Sequence, residues 1–219
     1  MADFIPILGT TLRWIGVCLL PLGLLPIAIL IAPKRFAGIS RHLITRLDGL
    51  SGFALDIAIG FSFLIILVQL VVLFLSNVYG VAFSWLSDTV IFSFAGIFML
   101  GAAATLRDEG HVRVDILRPR FSDAQRAIVE LVGSLGFIWP IGLLILYGGA
   151  ASLARSWAGL EPFNESDGLP FKYLFKTLIP AFAVLMMAQG LSQALKAARI
   201  LRGLDEPPSP AATHTVGPA

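Results

Sequence analysis

Few side chains in this 219-residue chain have the type and spacing to act on a substrate, an ion or a partner, and most of them fall in two short stretches. The first is Arg107-Asp108-Glu109-Gly110-His111-Val112-Arg113-Val114-Asp115-Ile116-Leu117. Within it His111, Arg113 and Asp115 alternate with Val112, Val114 and Ile116, a period of two that suits an extended backbone and not a helix. Such a strip turns three apolar side chains toward a membrane or partner and keeps its polar ones on the other face. Gly110 supplies the turn into it. A plain amphipathic connector, with basic residues serving only topology, accounts for the same pattern. The second stretch holds Trp157, Glu161, Glu165, Asp167 and Lys172, a sizeable exposed loop of mixed charge.

The remaining ionisable groups are scattered. Asp56 is read either as interfacial or as a pair for Arg41, Arg46 or a partner's cation. Asp88 is read as capping the start of a helix, with ion binding as the alternative. Glu130 is expected to pair with Arg126 at i−4. Ser62, Gln69 and Ser76 recur every seven residues, while Gln189, Ser192, Gln193 and Lys196 follow i, i+3, i+4 and i+7. Both stripes call for hydrogen-bond partners on other helices. Gly101 to Ala104, and Gly133 with Gly136, are small enough to admit a neighbouring backbone. His42, His111 and His214 lie outside every apolar run, which gives a haem no axial pair, and Cys18 stands alone. No catalytic, cofactor-binding or metal-binding set is expected, and the chain is not read as an enzyme. Asn164-Glu165-Ser166 fits a glycosylation sequon, a pattern common by chance.

These residues must be positioned by membrane helices. The chain is 57% hydrophobic and 14% charged, against roughly 25% charged in soluble domains, and its mean hydropathy is +0.84. That is more apolar surface than one core of this size buries, so a soluble enzyme is excluded, and a net charge of +2 is too weak to indicate nucleic acid. Four segments meet the length needed to cross the bilayer: Phe53 to Ser76, Thr89 to Leu106, Ile128 to Ala151 and Tyr173 to Ala194. A fifth, Trp14 to Ala32, is long enough but contains Pro21 and Pro26, and is read as a retained span, kinked or re-entrant. A cleaved signal peptide is the weaker reading, since only Arg13 precedes the run and no small-x-small site follows it.

Basic residues set the orientation. Lys34, Arg35, Arg41 and Arg46, then Arg107, Arg113, Arg118, Arg120 and Arg126, then Lys196, Arg199 and Arg202 fall on one side, expected to be cytoplasmic. Only Arg13, Arg155, Lys172 and Lys176 fall on the other. The C-terminus is then inside, and the N-terminus outside if the first segment spans. Tyr79, Trp85, Trp157 and Tyr173 sit at the outer ends, as interfacial aromatics do. Trp139 is mid-span, where its indole N–H needs a protein partner. The expected architecture is an all-α membrane bundle: an extra N-terminal helix in 1–37, an amphipathic cytoplasmic helix in 38–52 that leads into the second span, a four-helix domain in 53–200, and a disordered tail in 201–219. Ser122 with Gln125 matches a capping box that starts the fourth-span helix. No internal repeat of the kind that builds many self-sufficient transporters is visible.

The stretch from Arg107 to Leu117 resembles the signature of the small membrane subunit of tripartite ATP-independent periplasmic (TRAP) transporters, the DctQ-like family. Gly101-Ala102-Ala103-Ala104-Thr105-Leu106 runs into it. Arg155-Ser156-Trp157 and Gly168-Leu169-Pro170 leading to Leu178-Ile179-Pro180 resemble the mannitol or chloroaromatic-compound subgroup. The resemblance covers roughly Ser40 to Ala198. It implies a subunit of a bacterial inner-membrane uptake system that scaffolds a large permease subunit and helps to dock a periplasmic solute-binding protein, with a sodium gradient driving uptake of an organic acid or related solute. Arg107, Gly110, His111, Val112, Arg113, Val114 and Asp115 occupy the family motif and are assigned to a partner interface or to ordering of the loop. Trp157, Glu161, Glu165, Asp167 and Lys172 are assigned to docking. The extra N-terminal segment departs from the family's four spans. An autonomous transporter or channel, or the membrane anchor of an enzyme complex, are the alternatives.

Overall fold

A charge-free run in lipid must satisfy its backbone hydrogen bonds internally, and every regular element among the described residues is accordingly helical. The structure, a computed structural model, describes residues 10, 11, 14, 17, 21–108, 121–163 and 167–206. Its helices are α1 (Leu25–Ile31), α2 (Pro33–Phe74), α3 (Ser84–Arg107), α4 (Asp123–Gly133), α5 (Trp139–Ala158) and α6 (Lys172–Leu201). Single π turns at Leu75–Tyr79 and Ser134–Ile138 extend α2 and join α4 to α5. Four continuous helices are thus long and apolar enough to cross a membrane: Pro33–Tyr79, Ser84–Arg107, Asp123–Ala158 and Lys172–Leu201. The chain is an all-α membrane protein.

Local chemistry explains where the helices break. Ala32, which precedes Pro33, adopts φ −131° and ψ 69°, because a residue before proline is pushed out of the helical region, and this separates α1 from α2. No proline follows until well beyond the span, so the expected surface helix (38–52) and the second span are one helix of 47 residues with its terminal π turn, about 70 Å at ~1.5 Å per residue. Gly80, at φ 65°, ends it in a left-handed conformation that costs glycine nothing. The capping box forms as expected, with Ser122 and Gln125 exchanging side-chain bonds at 2.9 and 3.3 Å. Pro140 has no N–H for the carbonyl one turn back, and the wider π turn just before it absorbs the mismatch.

α6 is the central element, and from Gln189 to Leu195 every residue is buried. Met187, Leu191, Leu195 and Ala198 pack with Trp139 and Leu146 of α5 and with Ile29 of α1. The Trp139 indole donates to the Met187 carbonyl at 3.1 Å, the protein partner expected for it. Pro21–Ile31 is an apolar helix too short to cross by itself, and it packs on α6; the rest of the proposed Trp14–Ala32 span lies mostly outside the described residues. Small residues act as expected on α3, where Ala103 and Ala104 are buried and Gly101 faces Ala58. Gly133 and Gly136 do not: among the described residues, a Cβ added at either meets no atom of another helix within 4 Å. The close approaches are instead at Gly142, where an added Cβ would overlap Met187, and at Gly96, where it would lie 2.7 Å from the Phe61 ring.

Candidate functional site

The polar side chains gather at the two ends of the bundle. At the end rich in basic residues, the stripe on α6 finds its partners on α2 and α3. Asp48 of α2 accepts from Gln189 at 3.1 Å and Ser192 at 2.7 Å, and pairs with Lys196 at 2.8 Å. Ser51, one turn on, donates to Gln189 Oε1 at 2.6 Å. Gln193 donates to the Leu106 carbonyl at the end of α3 at 3.0 Å. Arg107, the last residue of α3, grips both carboxylate oxygens of Asp108 at 2.7 and 3.0 Å and reaches the Asp48 carbonyl at 3.2 Å. The Arg107 guanidinium holds the Asp108 carboxyl below its ordinary value. Three helices are therefore knotted where the signature stretch begins.

A turn and a half further along α6, Arg199 is buried and donates to the Ala37 carbonyl and to Ser40, both at 2.7 Å. It also forms a forked pair with Asp205 at 2.5 and 2.9 Å, which lowers the Asp205 carboxyl's affinity for a proton. Arg41 reaches the same carboxylate at 3.9 Å. Among the described residues no buried side-chain nitrogen or oxygen lacks a partner.

The opposite end is tied by its loop. Glu161 meets Lys172 at 3.0 Å, Lys176 at 2.5 Å and the Ser156 hydroxyl, and with Lys176 contributing most its carboxyl is pulled from 4.5 to about 2. Trp157 donates to Thr177 at 2.9 Å and packs edge-on against Tyr173 with centroids 4.9 Å apart. Asp167 accepts from the Ser84 backbone N–H at 3.0 Å, so the loop caps α3 and its own carboxyl is lowered in return. Asp88 does not cap its helix as expected. It is buried and accepts from the Leu169 N–H at 3.0 Å, which makes the α3–loop link reciprocal.

α5 ends in a Schellman turn, with Leu160 N–H bonded to the Trp157 carbonyl at 3.3 Å and Glu161 N–H to that of Ser156 at 3.0 Å. The left-handed position, usually glycine, is taken by Leu160 at φ 43°, and its side chain is exposed.

Of the residues singled out from sequence, the structure brings together Trp157, Glu161 and Lys172 with Asp167 on the same loop system, and places Arg107 in the knot. Gly110, His111, Val112, Arg113, Val114, Asp115 and Glu165 lie outside the described residues, as do the sequon and the tail from 207 onward. Asp56 is exposed on α2 and does not meet Arg41, which turns to Asp205. Arg126 reaches Asp123 at 3.4 Å. Ser62 and Ser76 bond carbonyls of their own helix, and Gln69 is exposed, so among the described residues that stripe makes no hydrogen bond to another helix. Sequence reasoning missed Asp48, Ser51 and Lys176 as anchors. The α6 stripe, which demanded partners, and the i, i+3 spacing of Asp48 and Ser51 were the signal for the first two. Chemically the arrangement ties helices together, and among the described residues no three His, Cys, Asp or Glu groups converge.

A family model described as tripartite ATP-independent periplasmic transporters, DctQ component, matches residues 63–200. No curated protein and no solved structure matches significantly.

Proposed function

Because the chain belongs to the family of DctQ components of TRAP transporters, we propose that this small membrane subunit is a fixed scaffold, holding the large permease subunit and helping to dock the periplasmic binding protein in a bacterial inner membrane. The observation that carries the reading is that polar side chains at both ends bond to one another and lock α2, α3, α5 and α6 into one body. A body of that kind suits a stationary support. In this reading the basic end is cytoplasmic, and the sodium-coupled elevator movement of an organic acid or related solute takes place in the large subunit. The resemblance to the mannitol or chloroaromatic-compound subgroup favours a solute of that type.

Two surfaces follow. Asp56, Ile59, Phe63, Leu67, Leu70 and Phe74 share one face of α2 by helical spacing, and all are exposed. We assign this face to the large subunit, with Asp56 meeting a cation at its edge. At the other end, Glu161 and Lys172 bond to each other and Asp167 ties the loop to α3, and the exposed Leu160 offers the binding protein an apolar contact. Arg113 and Asp115 are assigned to ordering the stretch that leaves the Arg107 knot.

The test is reconstitution. The chain with the large subunit and binding protein should give sodium-dependent uptake, and the chain alone should give none. Uptake by this chain alone in liposomes would overturn the scaffold reading in favour of an autonomous transporter. Labelling of single cysteines at 160 and 206, in a Cys18→Ser background, checks the orientation: only the former should react from outside.

A further inference from the structure

The apolar residues in the first turns of α2 face inward. Phe36, Leu43, Ile44 and Leu47 pack on the core around α6, while Ser40 and Asp48 bond Arg199, Ser192 and Lys196. Helical spacing then places Arg35, Ile39, His42 and Arg46, at i, i+4, i+7 and i+11, on one outward stripe flanked by Lys34 and Arg41, and all six are exposed. The amphipathic segment expected to rest its apolar face on the membrane gives most of that face to the bundle and leaves its cations outside.

These cations differ from others at the same end in being unpaired. Arg107, Arg126, Lys196 and Arg199 each meet a carboxylate. Among the described residues, the side chains of Lys34, Arg35, His42 and Arg46 form no ion pair or hydrogen bond, and Arg41 reaches Asp205 only at 3.9 Å with its side chain 77% exposed. Topology calls for basic residues near this end, but not for their collection on one face without carboxylates.

The depth of the stripe follows from the two polar layers. On α6 these stand at Lys176 and Lys196, about 30 Å apart at ~1.5 Å per residue, which is the thickness of the hydrocarbon. Asp48 meets Lys196, so the boundary crosses α2 at that level. Along the helix Arg46 is about 3 Å and His42 about 9 Å beyond it, the depth of lipid phosphates, and Arg35 and Lys34 follow further out. The face running from Asp56 to Phe74 lies roughly a quarter-turn away around α2.

We propose that this stripe binds the headgroups of anionic phospholipids, with Arg46 and His42 on a lipid phosphate and Arg35, Lys34 and Arg41 adding attraction at longer range. A guanidinium gives phosphate two parallel N–H bonds, and the stripe holds no carboxylate to compete for it. The inference goes beyond the scaffold reading and does not rest on it, since the stripe meets headgroups whichever leaflet it faces.

Gly49 carries the probe, because it is one turn from Arg46 and an added Cβ there meets open space. The full-length chain with Gly49→Cys in a Cys18→Ser background is labelled with bimane and reconstituted in phosphatidylcholine vesicles. Quenching by a trace of phosphatidylglycerol spin-labelled beside its glycerol is compared with quenching by phosphatidylcholine bearing the same label. Gly133→Cys on α4, equally open, is the reference site. Phosphatidylglycerol should be preferred about fivefold at residue 49 relative to residue 133, the factor that ~1 kcal/mol for an arginine at a charged surface gives. Arg35→Gln with Arg46→Gln should bring the preference near unity, Arg35→Lys with Arg46→Lys should keep most of it, and 1 M salt, with a Debye length of about 3 Å, should weaken it. The preference should persist with the large subunit co-reconstituted. Equal quenching by the two lipids at residue 49, a preference unchanged in the glutamine variant, or its loss with the large subunit in place, which would assign the stripe to that protein, would each overturn the proposal.

Discussion

Replacing Asp48 separates hydrogen bonding from charge in the knot that joins α2 to α6. Asp48→Ala removes the acceptor for Gln189 Nε2 and Ser192 Oγ and the counter-charge of Lys196. Gln189 and Ser192 are fully buried, and a buried donor left unsatisfied costs ~1–3 kcal/mol. Ser192 can turn back to a carbonyl of its own helix, which limits its share. The Lys196–Asp48 pair, with side chains 33% and 27% exposed, is partly screened and adds about 1 kcal/mol or less. Asp48→Ala should therefore destabilise the chain by about 2–4 kcal/mol. Asp48→Asn retains a carbonyl oxygen for Gln189 and Ser192 and should cost about 1 kcal/mol. Arg107 bonds the main-chain carbonyl of residue 48, so its link to α2 survives both changes. Thermal unfolding in detergent, followed by size-exclusion of a fluorescent fusion, reads the difference. Equal losses for the two variants, or none for alanine, would refute the reasoning, since the acceptor's bonds to buried donors would then carry no weight.

The Glu161 carboxyl is depressed, so its contribution is in force above the ordinary value of 4.5 and is lost as pH falls toward about 2. Fluorescence of Trp157 against Tyr173 should change across that window, and Glu161→Gln should abolish the dependence. Gly96→Ala, which pushes a methyl onto the Phe61 ring, should cost about 1–3 kcal/mol, whereas Gly133→Ala, in open space on a helix, should stabilise by roughly 0.5–1 kcal/mol; matching signs in thermal melts would contradict the packing. Leu160→Gly relieves the left-handed conformation and should raise stability by about 1 kcal/mol while weakening capture of the binding protein by the reconstituted complex. Arg113→Ala together with Asp115→Ala should impair assembly with the large subunit and uptake, and unaltered pull-down and transport would remove these residues from the interface.

The spans and the Ser122 cap were legible because they depend on neighbours in sequence. A charge-free run and the Ser122–Gln125 box each act within a turn or two, whereas the break at Pro33 was not read from the sequence. Two misreadings have the same origin in reverse. Gly133 and Gly136 looked like a close approach, but a glycine shows only that a neighbour would be tolerated, not that one arrives. Asp88 sits where a helix cap belongs, yet the donor within its reach is the Leu169 N–H, 81 residues away in sequence, while Asp167 caps α3 from the loop.

By itself the sequence determined that this chain is a helical membrane bundle with polar ends, because apolar periodicity and charge placement are written residue by residue. It also required the α6 stripe to find partners. Which partners was decided only by tertiary structure. Asp48 meets Ser192 across 144 positions, and Arg199 meets Ser40 across 159. Pairings at such separation depend on how α2, α3 and α6 cross, a property of packed side-chain volumes that local pattern does not encode.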